Sequence, residues 1–357
     1  MSKNVFILGA GASKEVGAPL MHDFLDVAEN LSRQGKVEAY REQFELVADG
    51  RSALQATHSK SIGIDLYNME AVFSAFEMAK MLGHLGEFDR SKVAAFPEAY
   101  RTVIAATLEN TITYQADQGR IHPPPSYALL VDLIQDLRKS GSDSSILTFN
   151  YDLALDFTCH LKSIIPDYCL QGFISAPNAL KTLKLHGSLN WTHCHTCQKI
   201  VAWELRDYFG VFSWRNPYDA RELNLNLSQH LSKFSHCNNG MKSNAIPYLV
   251  PPTWNKSEHH HSIENVWQTA AKELSEAENI FVIGYSLPET DSFFQYLFSL
   301  GVTSKTLIRK FWVIDPNPSV EPRYRSLVGQ AVKTRFKFIE STFTEGMREI
   351  RSALLRN

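Results

Sequence analysis

The sequence predicts an α/β fold: a Rossmann-like parallel sheet interrupted by a helical insertion and by a small irregular insertion. Three observations predict it. Short apolar, β-branched runs each stop at a glycine or a polar residue, as buried parallel strands do at their carboxyl ends. Segments with helical spacing lie between them. One long stretch, residues 37–118, carries helical periodicity alone.

The first run, Asn4-Val5-Phe6-Ile7-Leu8, stops at Gly9 and leads into the turn Gly9-Ala10-Gly11-Ala12-Ser13. Apolar residues at Leu20, Phe24, Val27, Ala28 and Leu31 then predict a helix, so strand, glycine turn and helix follow in the order of a dinucleotide-binding opening. Helical spacing continues through Met69, Val72, Phe73, Phe76, Phe96, Tyr100, Val103 and Ile104. Pro123-Pro124-Pro125 closes that insertion, because successive prolines lack the donors a helix needs. A helix over 127–137 and a strand over 144–149 ending at Asn150 come next, then a strand over 180–185 ending at His186. The stretch 189–254 is rich in Asn, Trp, His and Pro and has weak periodicity, which predicts an irregular module. Order returns with a helix over 262–275, a strand Asn279–Ile283 stopping at Gly284, a helix starting near Asp291, and a strand Lys310–Ile314 ending at Asp315-Pro316-Asn317. The expected organisation is one domain, 1–357, with its core in 1–36, 126–190 and 262–357, the helical insertion in 37–125 and the small module in 191–261.

At 357 residues, 44% hydrophobic and 21% charged, the chain has the composition of a globular protein able to bury a sizeable core. Lys plus Arg number 36 against 38 Asp plus Glu, so the net charge of -2 predicts neither direct nucleic-acid binding nor attraction to an anionic membrane. The apolar start is too short for a signal segment, and no stretch approaches membrane-spanning length. Five cysteines, an odd and unevenly spaced set, speak against a disulfide framework and for a reducing, cytoplasmic setting.

Chemistry-bearing residues gather at the predicted strand ends. The turn Gly9, Ala10, Gly11 to Ser13 places backbone N–H groups beside a helix start, suited to a pyrophosphate, although a plain tight turn would look the same. Thr148, Asn150 and Asp152 alternate just past a buried strand and would face one cleft together; Asp152 could equally cap the next helix. His186 stands at a strand terminus before a glycine, where an imidazole can serve as a base, though any one of 13 histidines can also be structural. Gly284 with Ser286, and Asp315 with Asn317, suit phosphate or adenosine-ribose contacts, or are ordinary turns. Cys194 and Cys197 form one Cys-x-x-C, and Cys237 follows His236 in the same module. With a histidine, Cys194, Cys197 and Cys237 would make a zinc-module-like set of four ligands, yet a second Cys-x-x-C is missing.

The order of these motifs resembles the sirtuin family: Gly9 to Ser13, Gly17-Ala18-Pro19, Thr148 to Asp152, His186-Gly187, Cys194 to Cys197 and Gly284 to Ser286. That resemblance implies NAD as substrate, with Asn150 holding the ribose hydroxyls and a water, Asp152 binding the nicotinamide carboxamide, His186 acting as base, and Pro19 lining the site. Departures matter. Gly17-Ala18-Pro19 is followed by Leu20-Met21-His22 where deacylases have Asp-Phe-Arg, and Leu249 to Trp254 replaces their peptide-pairing strand. The resemblance therefore points to the antiphage-defence branch: NAD hydrolases that deplete NAD, here gated by homo-oligomerisation or by a regulatory partner such as a translocase-type ATPase. A protein deacylase and a non-catalytic module binding NAD or ADP-ribose are the alternative readings.

Overall fold

The computed structural model describes residues 2–58, 64–118, 120–172, 176–211, 221–233, 236–237, 246–250, 257–288, 292–301 and 306–355. Its centre is a seven-stranded sheet of β1 (Lys3–Leu8), β2 (Asp143–Thr148), β3 (Pro166–Asp167), β4 (Leu180–Lys184), β5 (Asn279–Ile283), β6 (Lys310–Ile314) and β7 (Phe336–Ile339). All pairings are parallel, in the order β7-β6-β5-β1-β2-β4-β3. The α/β expectation holds.

Register decides what this sheet can present. Leu8 lies opposite both Thr148 and Ile283, Thr148 opposite Lys184, and Ile283 opposite Ile314. These five strands thus end abreast, and the residues that follow them emerge along one edge. The chain lays down β2, β3 and β4 on one side of β1 and then crosses to β5 on the other, so the order reverses between β1 and β5. Open α/β sheets bind ligands at such a reversal, outside the strands' carboxyl ends.

Alternation along the strands sends Phe6, Leu8, Ile146, Phe281 and Ile283 to one face and Val5, Ile7, Leu147, Ile280 and Val282 to the other, all buried. Both faces must therefore be covered, which is what burial of every residue of β5 requires. On the first face lie Pro125–Lys139, Phe343–Leu355 and the helical insertion; the second packs on Ser257–Glu276 and Ser292–Gly301. None of the described helices is long and apolar enough to cross a membrane.

We label the early helices α1 (Ala10–Ser13), α2 (Phe24–Arg33), α3 (Arg41–His58), α4 (Met69–Leu82), α5 (Arg90–Thr111), α6 (Pro125–Lys139) and α7 (Ala154–Leu161). Within the insertion, Asn68 and Asp89 accept the first free N–H groups of α4 and α5, and Phe73 stacks on Tyr100, Phe76 on Phe96. These rings share one apolar cluster with Phe6 and Leu8 of the sheet.

Three expectations need correction. The helical pattern does not run to 118: Thr111-Ile112-Thr113 breaks it, and Tyr114–Asp117 is a strand paired with Arg120–Ile121 and Glu222–Leu223. Its burial alternates with period two, a signal shorter than the helical one before it. Pro125 does not merely close the insertion but opens α6, where its missing donor costs nothing. The small module is more regular than expected: Trp191–Cys194 and Lys199–Ala202 form a hairpin, and Tyr248–Leu249 pairs with Gly187–Ser188. The expected helix start at Asp291 and residues 251–254 lie outside the described residues.

Candidate functional site

A cavity of about 540 Å³ opens at the sheet edge where the strand order reverses. Of the residues anticipated as ligand contacts, Ala10, Gly11, Ser13 and Pro19 line it from the turn after β1, and Asn150 and Asp152 from the end of β2. His186 reaches it from beyond β4, Gly284 and Ser286 from beyond β5, Asp315 and Asn317 from beyond β6. Asn150 and His186, from different strands, thus share one cavity.

Gly9 and Thr148 are not among the residues that line it. Gly9 packs against the neighbouring turn: a Cβ there would fall 2.5 Å from Tyr285 Cα, and its carbonyl accepts Asn150 Nδ2 at 2.8 Å. Thr148 is buried, and its hydroxyl accepts the Asn150 N–H at 3.1 Å. The N–H groups of Gly9 and Gly11 do not face a phosphate either, because they donate to Ile283 O and Gly284 O. Glycine is required here for docking of two turns: Gly284 has φ +60°, and a Cβ on it would lie 2.3 Å from the Ala12 nitrogen.

Ser13 is the hub of the buried side. Its Oγ lies 2.6 Å from Asp152 Oδ2, 2.7 Å from Tyr127 Oη and 3.0 Å from Asn150 Nδ2. Asp152 Oδ1 accepts the N–H of Ala154, the first residue of α7, from the position before the N-cap Leu153. Burial raises its pKa above the usual carboxylate range, opposed by Ser13, the Ala154 N–H and nearby Lys184. Asp315, at the other end of the cavity, is raised by burial in the same way, opposed by the Asn317 N–H and by Lys14.

His186 is only 4% exposed. Phe149 meets its ring edge-on at 5.1 Å and stacks on Tyr285 at 4.3 Å, which gives that wall of the cavity two flat aromatic faces. The glycine after His186 admits protein backbone, not a ligand: a Gly187 Cβ would lie 2.1 Å from Tyr248 O. Beneath the histidine, Lys184 is fully buried and donates to Asp152 O and Asp156 Oδ2 at 2.8 Å and to Ser188 Oγ at 2.6 Å. One cation therefore ties the segment after Asn150 to the segments before and after His186, and its carboxylate partner makes a buried pair that would be costly to break singly.

Sequence reasoning missed several lining residues: Lys14, His22, Glu70 and Arg323, along with Tyr127 and Lys184 behind the wall. Glu70 belongs to the helical insertion, and only the tertiary fold brings it to a cavity of the sheet. Lys184 was legible in principle, since a lysine inside an apolar strand must find a buried partner.

In the small module, ligand atoms of Cys194, Cys197, His236 and Cys237 lie within 4.8 Å of one another. Cys194 Sγ to Cys237 Sγ is 3.8 Å, Cys197 Sγ to His236 Nδ1 3.6 Å, and Cys237 Sγ to His236 Nδ1 3.4 Å. A tetrahedral zinc with Zn–S about 2.3 Å and Zn–N about 2.0 Å has edges of about 3.8 Å between sulfurs and about 3.5 Å between sulfur and nitrogen. The four residues fit zinc, with His236 as the histidine of the set. The Cys197 N–H draws the Cys194 thiol down to about 6, toward the thiolate that a metal binds, whereas burial pushes Cys237 up to about 11.

No protein-family model and no curated protein matches the chain. Solved structures do. A Sir2 homologue in complex with NAD is 14% identical, with 99% of this chain and 89% of that chain covered and a TM-score of 0.45. A Sir2 homologue variant with ADP-ribose is 14% identical over 99% and 91%, TM-score 0.42. A Sir2 complex with an inhibitor, 2'-O-acetyl-ADP-ribose and a deacetylated peptide is 13% identical over 98% and 93%, TM-score 0.39.

Proposed function

We propose that this chain is an NAD hydrolase that cleaves the nicotinamide–ribose bond to give nicotinamide and ADP-ribose. The observation that carries the reading is the convergence of Asn150 and His186, from separate strand ends, on one cavity at the reversal between β1 and β5. Asp315 and Asn317 line the same cavity and suit the adenosine ribose, while the Phe149 and Tyr285 rings offer an apolar wall.

In this mechanism the N-glycosidic bond breaks with its electron pair leaving on nicotinamide, and positive charge develops on the ribose. Asn150 orients the ribose hydroxyls and the attacking water. That water adds to the anomeric carbon and its proton passes to His186, so the products are nicotinamide, ADP-ribose and one proton. Asp152 already holds Ser13 and Ala154 with its two oxygens, so its part is to fix the network behind Asn150. Zinc, when bound by Cys194, Cys197, His236 and Cys237, would hold the module's loops together, away from the reacting carbon.

Water rather than an acyl-lysine is favoured by the segment beside His186. Tyr248–Leu249 already pairs with Gly187–Ser188; the Leu249 carbonyl accepts Arg101 Nε at 3.2 Å and the Val250 carbonyl accepts Tyr151 Oη at 3.1 Å. A substrate peptide adding a strand there would have to displace both donors. The division into core, helical insertion and small module, the cytoplasmic setting, a role in antiphage defence by NAD depletion, self-association and an ATPase-type regulatory partner belong to the same proposal and rest on the sequence resemblance.

The test is nicotinamide release from NAD alone. Asn150→Ala and His186→Ala are each expected to lower kcat at least 100-fold, on the order of a lost acid–base or positioning group, with cooperative unfolding retained. Turnover within threefold of wild type in both variants would remove these residues from the reacting centre.

A further inference from the structure

With Asp152 ionised, the three contacts at Ser13 Oγ fix where the protons lie. A hydroxyl has one proton and two lone pairs, and here it meets Asp152 Oδ2 at 2.6 Å, Tyr127 Oη at 2.7 Å and Asn150 Nδ2 at 3.0 Å. An ionised Asp152 has no proton to give, so Ser13 donates to it, as the short charge-assisted distance suits. Both lone pairs of Ser13 must then receive: one from the Tyr127 hydroxyl, the other from the Asn150 amide. The second Nδ2 proton of Asn150 goes to Gly9 O at 2.8 Å. The opposite orientation would set the Asn150 carbonyl against the Gly9 carbonyl with no proton between them. Asn150 therefore keeps Oδ1 as its atom for a ligand in the cavity, which makes it an acceptor for a ribose hydroxyl or a water.

We propose that Tyr127, on α6 and outside the cavity, is a positioning residue: its hydroxyl occupies the remaining lone pair of Ser13 and so fixes the Asn150 amide with its carbonyl toward the ligand. Taken on its own, the hydrogen-bond assignment needs no substrate. Its catalytic consequence rests on the NAD-hydrolase reading. Burial holds the Tyr127 phenol well above its ordinary pKa, so it stays a donor throughout the working pH range. The ring is held separately, edge-on to Phe343 at 5.3 Å, so removing the oxygen leaves the packing in place.

The experiment compares wild type with Tyr127→Phe in full-length protein labelled with [15N]asparagine. The Asn150 side-chain NH2 signals are assigned by their loss in Asn150→Asp. Tyr127→Phe is expected to shift those signals and to lower kcat for nicotinamide release about tenfold, the scale of one buried hydrogen bond, with KM for NAD unchanged within twofold. Unmoved signals overturn the proposal whatever the kinetics. Shifted signals with unchanged kcat, or a change in KM alone, overturn its catalytic half. A wild-type protein that releases no nicotinamide rejects NAD hydrolysis by the free chain instead, and the signals still decide whether Tyr127 holds the amide.

Discussion

The cavity at the sheet edge and the cysteine cluster of the small module are built in opposite ways. In the cavity, side chains are fixed by backbone that the sheet has already placed: Asn150 bonds to Gly9 O, Ser13 to Asp152, and Lys184 to Asp152 O. Removing the Asn150 or Ser13 side chain should leave the strands in register, since neither is one half of a buried ion pair. In the cluster, four ligands from two segments about forty residues apart meet at a point with no strand beneath Cys197, His236 or Cys237. Its hairpin is anchored through Trp191, Ile200 and Ala202, which are buried with the second face of the sheet. The lesson is that loss of the first should cost activity, and loss of the second should cost local structure.

The largest expected effect is on the cluster. Purified protein should carry one equivalent of zinc, and Cys197→Ser or a strong chelator should release it and expose the hairpin tip and residue 237 to proteolysis, while the core remains protected. Less than a tenth of an equivalent in metal analysis, or an unchanged digestion pattern after chelation, would erase the contrast.

A smaller effect is expected where the module meets the helical insertion. Glu109 of α5 accepts the N–H and hydroxyl of Ser228, and burial raises its carboxyl to about 7 against a usual 4.5. The folded chain keeps that proton to a higher pH than the unfolded chain does. Stability contributed by Glu109 must therefore fall as pH rises from about 4.5 to about 7, and be flat above. Denaturant unfolding of Glu109→Gln should lose this slope and gain stability at pH 8 relative to wild type, by up to about 3 kcal/mol for a shift of this size. Parallel pH profiles for the two proteins would exclude the effect.

What was legible in the sequence follows the same division. Strand ends could be read because buried parallel strands are apolar runs with abrupt polar stops, and Gly9, Asn150, His186, Gly284 and Asp315 are those stops. Their convergence follows from parallel register, and all of these stops but Gly9 line the cavity. Roles within it were less legible. Gly9 and Gly11 read as ligand-approach glycines, yet each meets protein backbone, because residue type reports the need for space and not what fills it. Lys14, Glu70 and Arg323 carry no periodic or spacing signal, and Tyr114–Asp117 was hidden behind a longer helical pattern. The fourth ligand of the cysteine set could be narrowed to a histidine but fixed as His236 only by distance.

The central claim is that this cavity splits NAD with water. Incubating the purified chain with NAD, with and without an acyl-lysine peptide, and counting nicotinamide and ADP-ribose tests it most directly. The account predicts the two products in equal amounts at a rate the peptide does not change. Nicotinamide released only when peptide is present, with an acyl-ADP-ribose in place of ADP-ribose, would contradict it.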